Sequence, residues 1–216
     1  MLPLQIGPDR QRLRVLCLGA HSDDIELGCA GTLLHWLATY QRVELTWVVF
    51  SAAGARTAEA RRSARALMKR AAQLDVVVGD LTDTQFPAEY LQAQAFMRSI
   101  SARCTPDVVL THRLEDRHQD HRLVAELTAQ AFRNHLLMEY EIPKYEADLG
   151  QPNLYVPLTK MAAERKLRHL LQHFGSQRSK DWFNEAGLSS LMNLRGLECR
   201  AASGRAEAFH LRKAVL

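Results

Sequence analysis

Val15-Leu16-Cys17-Leu18-Gly19-Ala20-His21-Ser22-Asp23-Asp24-Ile25-Glu26-Leu27 reads in three parts. Residues 15–19 are a short, continuous apolar run, as in a parallel strand buried on both faces. His21, Asp23 and Asp24 then crowd one imidazole and two adjacent carboxylates into a turn. From Leu27 onward, Leu33, Leu34, Leu37 and Tyr40 recur at helical spacing. Strand, charged turn and helix in that order open an α/β sheet, and such sheets place their chemistry at the carboxyl ends of strands. Gly28 and Gly31 are poor helix formers, so inside this helix they predict close approach by a neighbouring strand or a substrate.

The alternation continues outward. Residues 43–50 read as a strand rich in β-branched and aromatic side chains, 58–72 as an Arg/Ala helix and 75–78 as a third strand. Residues 92–102 read as a helix, 107–110 as a strand opened by Pro106, and 119–133 as a helix burying Leu123, Leu127 and Phe132. This order implies an α/β fold with a mainly parallel sheet, right-handed crossovers and helices on both faces. After Pro143 the pattern changes. A short strand over 153–157 and helices over 159–174 (Thr159 as N-cap) and 179–194 are expected. The region from about 143 to 216 is expected to decorate the one domain spanning 1–216, packing on a sheet edge or on the rim of a site.

With 216 residues, the chain suits one domain with a full core. The formal charge of +4 admits a polyanion partner. However, the densest basic group, Arg56, Arg61, Arg62, Arg65, Lys69 and Arg70, lies along one helix without any nucleic-acid reader motif, and reads as a solvated face. The four cysteines, Cys17, Cys29, Cys104 and Cys199, form no Cys-x-x-Cys pair, which favours a reducing compartment over a disulfide framework. Met1–Arg14 has no signal-peptide core and no segment is built to span a membrane. A cytoplasmic location is expected, with self-association left open.

A second polar cluster, His118-Gln119-Asp120-His121, follows the strand at 107–110. His118 and His121 are three apart and share a helical face. His21 and Asp24 are also three apart, in the earlier turn. Two imidazoles and one carboxylate make a usual ligand set for catalytic zinc, with a further position left for water. Successive side chains rarely reach one ion, so the economical division makes Asp24 a ligand and Asp23 a general base. His118 would face the substrate and stabilise an oxyanion or protonate a leaving nitrogen, with Asp120 holding it. Each residue also has a plainer reading: Asp23 as a helix N-cap, and His118 and His121 as exposed polar residues early in a helix.

Gly19-Ala20-His21-Ser22-Asp23-Asp24-Ile25-Glu26-Leu27-Gly28 and His118-Gln119-Asp120-His121-Arg122, preceded by Thr111-His112, resemble the two motifs of the PIG-L/LmbE-like de-N-acetylases, in a bacterial branch. Ser176-Gln177, Leu194-Arg195-Gly196 and Ala206-Glu207-Ala208-Phe209 carry the likeness further, more weakly. Ser22 and Ala30 depart from the proline and glycine common there; neither position supplies a ligand. The resemblance implies a Rossmann-like three-layer sandwich and one Zn2+ held by His21, Asp24 and His121. It also implies Asp23 as general base, and His118 as oxyanion stabiliser supported by Asp120. The implied substrate is a small-molecule N-acetyl amino sugar conjugate, typically of N-acetylglucosamine, contacted by Arg56 and Asp83. His112, just past the strand at 107–110, either lines the pocket as a substrate contact or only ends the strand. Two alternatives stand beside this: a metal-dependent amidohydrolase for a non-sugar N-acyl substrate, and a non-catalytic nucleotide-binding module. Against the latter, the first turn lacks Gly-x-Gly-x-x-Gly and carries two acids that repel a pyrophosphate.

Overall fold

The computed structural model describes residues 5–7 and 9–215, so the amino-terminal reading lies partly outside the described residues. The apolar run becomes β1 (Arg12–Gly19), and α1 (Asp24–Thr39) starts within the charged turn. β2 (Arg42–Val49), α2 (Ala55–Leu67), β3 (Gln73–Val78), α3 (Tyr90–Ser101), β4 (Val108–Thr111) and α4 (Gln119–Ala131) follow as the periodicity predicts, with shifted ends. Alternate β1 side chains serve two cores, the period-2 consequence of a strand buried on both faces. Val15 and Cys17 meet α1, α2, α5 (Lys160–His173) and α6 (Glu185–Glu198) through Leu33, Ala64, Leu170 and Met192. Leu16 and Leu18 meet α3 and α4 through Met97, Leu123 and Leu127. The result is a three-layer Rossmann-like α/β sandwich.

One seven-stranded sheet runs in the order β3-β2-β1-β4-β5-β7-β6, where β5 is Leu136–Tyr140, β6 Leu154–Pro157 and β7 Ala206–Leu211. β1 to β5 pair in parallel, and β7 is antiparallel to both β5 and β6. The chain winds outward from β1 through β2 and β3, then returns to β4 on the other side. The carboxyl ends of β1 and β4 therefore form the topological switch point, where open α/β sheets bind ligands. Both polar clusters leave from those two ends.

Two strands, β5 and β7, escape the sequence reading. Residues past 143 extend the sheet with β7 and β6 as well as covering it with α5 and α6. The helix expected over 179–194 starts later, where the Asn184 side chain accepts from the Gly187 amide as an N-cap. Thr159 caps α5 as expected, accepting from Ala162. Among the described residues no helix is long and apolar enough to cross a membrane.

The glycines of α1 do admit close neighbours. A Cβ on Gly28 would lie 2.2 Å from the Tyr140 ring, and one on Gly31 would lie 2.5 Å from Leu158. A buried ion pair also grips this helix. Glu207 of β7 accepts from the Gly31 and Thr32 amides (2.8 and 2.6 Å) and from Lys166 Nζ of α5 (2.6 Å), while Lys166 also donates to the Leu27 carbonyl (2.6 Å). Removing one member strands the other charge in the core. We expect Glu207→Ala to lower unfolding stability by about 3–5 kcal/mol, read from urea denaturation; a loss below 1 kcal/mol would mean that water replaces the carboxylate.

Candidate metal centre at the switch point

His21 leaves β1, and Asp24 opens α1 one turn further on. His121 comes from the first turn of α4, just past β4. His21 Nδ1 and His121 Nε2 lie 3.2 Å apart, His21 Nδ1 and Asp24 Oδ2 3.4 Å, and His121 Nε2 and Asp24 Oδ2 3.5 Å. A tetrahedral site with ligand distances near 2.0–2.1 Å has donor–donor edges of about 3.3 Å. The three atoms are thus spaced as one face of such a tetrahedron.

The protons point the same way. His21 Nε2 faces Asp120 Oδ2 at 3.1 Å and Asp83 Oδ1 at 3.0 Å, and His121 Nδ1 faces Asp116 Oδ2 at 3.0 Å. Carboxylates only accept, so each ring carries its proton on that outer nitrogen. The inner nitrogens then turn bare lone pairs toward each other and toward Asp24, an arrangement that calls for a cation. Without a metal, a proton meets the demand: burial disfavours an imidazolium, yet the Asp24, Asp120 and Asp83 carboxylates outweigh it and hold the His21 pKa well above its ordinary value. Burial likewise opposes ionised Asp24, but the His121, His112 and His21 rings hold its carboxyl well below the usual range. His21, Asp24 and His121 could therefore hold one divalent ion, and zinc fits two nitrogens and an oxygen.

Asp23 occupies the N-cap position of α1, but its side chain makes no capping hydrogen bond. The plainer reading of this residue therefore lacks the contact that would support it. Burial and the adjacent Asp24 charge push its pKa up, with Arg56 pulling the other way. Its nearest cation is Arg56 Nη2, 3.6 Å from Oδ1. Arg56 also donates to Ser22 Oγ (3.2 Å) and to Asp83 Oδ2 (2.8 Å), so Arg56 and Asp83 form a partly exposed strap beside the centre.

His118 caps α4, its Nδ1 accepting from the Asp120 amide at 3.3 Å. Its ring stacks on His121 (centroids 4.4 Å apart) and stands edge-on to His21 (5.0 Å). Burial and these neighbouring rings lower its pKa, which favours a neutral ring with its proton on Nε2.

Two expected placements differ. The Asp120 carboxylate does not hold His118. It lies against His21 and accepts from the Thr84 and Phe86 amides (2.7 and 3.2 Å). The loop after β3 thus bends onto Asp120, with Thr84 at φ 68°. His112 lies under the centre and is fully buried, so it has no surface to offer a substrate. It stacks on His121 (centroids 4.0 Å apart), and its Nε2 is 2.9 Å from the Ala20 amide and 3.2 Å from Asp24 Oδ2. Burial first, then His121, lowers its pKa to about 4. It is a neutral floor.

Asp116 is the residue that the sequence reading missed. It receives the His121 Nδ1 proton and, through Oδ1, the His118 amide at 2.8 Å. Its signal is an acid two residues before His118, the spacing of an Asx turn. The later motifs are structural. Arg195 makes a buried two-pronged pair with Glu141 (2.7 and 2.9 Å), and Ser176 Oγ donates to Glu59 (2.6 Å).

Fold and geometry together define a Rossmann-like α/β protein with a candidate mononuclear metal centre at its switch point. The PIG-L model, described as GlcNAc-PI de-N-acetylase, matches residues 16–132, from β1 to the end of α4. The chain belongs to this family of metal-dependent deacetylases. Its fold is similar to that of the 4-carboxy-2-hydroxymuconate hydratase of Pseudomonas putida (18% identity, TM-score 0.74, 94% of this chain and 98% of that one). It is similar to the N,N'-diacetylchitobiose deacetylase of Pyrococcus horikoshii (18%, 0.68, 92% and 83%). A teicoplanin deacetylase in a zinc-inhibited form is a third such structure (13%, 0.70, 92% and 97%).

Proposed function

We propose that this protein is a zinc-dependent hydrolase removing acetyl from an N-acetyl amino sugar conjugate of N-acetylglucosamine type. The observation that carries the proposal is the tetrahedral-face spacing of His21, Asp24 and His121 beside the uncapped, buried carboxylate of Asp23. Family membership supports amide hydrolysis, and the diacetylchitobiose deacetylase supports a sugar. A metal held by His21, Asp24 and His121 would supply Lewis acidity and would lower the pKa of a water to about 7.

The chain's own groups then divide the work. Asp23 takes a proton from the attacking water as its oxygen bonds the acetyl carbon. His118 Nε2–H hydrogen-bonds the oxygen that becomes negative in the tetrahedral intermediate. The proton on Asp23 passes to the sugar nitrogen as the C–N bond breaks, giving acetate and a free amine. Asp120 orients His21, while Arg56 and Asp83 meet sugar hydroxyls at the mouth. We expect His118→Ala to lower kcat about 100-fold or more with metal content unchanged; lost metal would make His118 a ligand instead.

A second reading comes from the Pseudomonas putida hydratase, whose fold matches at TM-score 0.74. The same base beside a metal could add water to a conjugated C=C bond. Three arms separate the readings: acetate release from N-acetylhexosamine conjugates, acetate release from N-acetyl amino acids, and loss of ultraviolet absorbance by a hydroxymuconate. Metal is titrated to one equivalent, because the teicoplanin deacetylase was captured in a zinc-inhibited form. Turnover in the first arm alone supports the proposal. Turnover confined to another arm overturns it.

A further inference from the structure

The loop after β5 reaches the metal centre through a chain of buried charges. Lys144 Nζ donates to Asp116 Oδ2 at 3.0 Å, the same oxygen that receives the His121 Nδ1 proton at 3.0 Å. Lys144 also meets Asp148 (2.7 Å), whose carboxylate accepts from the Arg117 amide (2.7 Å) and whose carbonyl accepts from Arg113 Nη1 (2.7 Å). The side chains of Asp116, Lys144 and Asp148 are at most 10% exposed, so solvent screens them little. The ammonium has two acceptors here, and one of them is shared with a ligating ring.

We propose that Lys144 is a positioning residue that sets how strongly His121 donates to the metal, by competing for the Asp116 carboxylate. The inference rests on His121 being a metal ligand. A carboxylate that accepts the outer proton of a ligating imidazole raises the basicity of its inner nitrogen. An ammonium on the same oxygen draws that electron density away and adds a positive charge near the cation. Asp116 and Lys144 therefore push metal affinity in opposite directions. The chain trades tightness of binding for a metal left more electron-poor, hence a stronger Lewis acid.

Opposite signs make the test decisive. Zinc affinity is measured by chelator competition on the full-length chain. The variants are Asp116→Asn, Lys144→Met and the double variant Lys144→Met/Asp148→Asn, which removes the second carboxylate that Lys144 leaves behind. Asp116→Asn is expected to weaken zinc about 10- to 100-fold. Both Lys144 variants are expected to tighten it about three- to tenfold. The 15N shift of His121 Nδ1 should move toward imidazolate character in the Lys144 variants and away from it in Asp116→Asn. A strut that merely holds the loop would weaken zinc in all three variants, and that result overturns the inference, as does unchanged affinity in both Lys144 variants. If the parent protein binds no metal at all, the metal centre itself is wrong, and the two failures are distinct.

Discussion

Asp23→Asn is expected to lower kcat about 10²- to 10⁴-fold and to leave one equivalent of metal bound. Asparagine keeps the size and polarity of the side chain but cannot take a proton at neutral pH. Asp23 makes no capping hydrogen bond, and its one ion pair, with Arg56, is long at 3.6 Å, so the amide substitution disturbs little else. Burial and the Asp24 charge raise its pKa, bringing it nearer to neutrality than an exposed carboxylate. A base is most effective when its pKa lies close to the working pH. Steady-state acetate release together with metal analysis of the same sample checks this. Metal loss with turnover kept would reverse the roles of the two neighbouring acids.

Asp24→Ala is expected to give the opposite phenotype next door. It would remove one of three converging donors and the negative charge among them, so metal content and turnover should both fall to background. Asp24 Oδ2 also accepts from the His21 amide at 2.7 Å, so the substitution loosens the turn that aims the His21 ring. Metal-free stability supplies the control. The two inner ring nitrogens, 3.2 Å apart, then face each other with neither cation nor carboxylate between them. Near-normal zinc affinity in Asp24→Ala would mean that another pair, such as His118 with His121, holds the metal.

Much of this centre was legible because it follows strands with strong local signals. Residues 15–19 form a continuous apolar run and 108–110 a shorter one, and polar side chains just beyond parallel strands have one place to go. Spacings of three also survive folding, since His118 and His121 share a helical turn. What escaped depends on contacts far along the chain. β7 pairs with β5, which lies more than sixty residues earlier (Tyr140 opposite Phe209), and Ala206–Leu211 carries no strong strand pattern alone. The Asp120 carboxylate swings to His21 because amides of the loop after β3 hold it there, a partnership between positions 84 and 120. His112 looked like a pocket residue because it follows β4 directly, but it is fully buried beneath Asp24 and His121. Lys144 has no local signal, and only tertiary packing brings it to Asp116.

The Asp23-Asp24 turn can also be tested without a substrate. A crystal of the protein loaded with one equivalent of zinc, recorded at the zinc absorption edge, locates the metal by anomalous scattering. One peak is expected about 2.0–2.2 Å from His21 Nδ1, Asp24 Oδ2 and His121 Nε2, with both Asp23 oxygens outside bonding distance. A peak on the far side of the His21 ring, among Nε2, Asp83 and Asp120, or one bonded to Asp23, would contradict it.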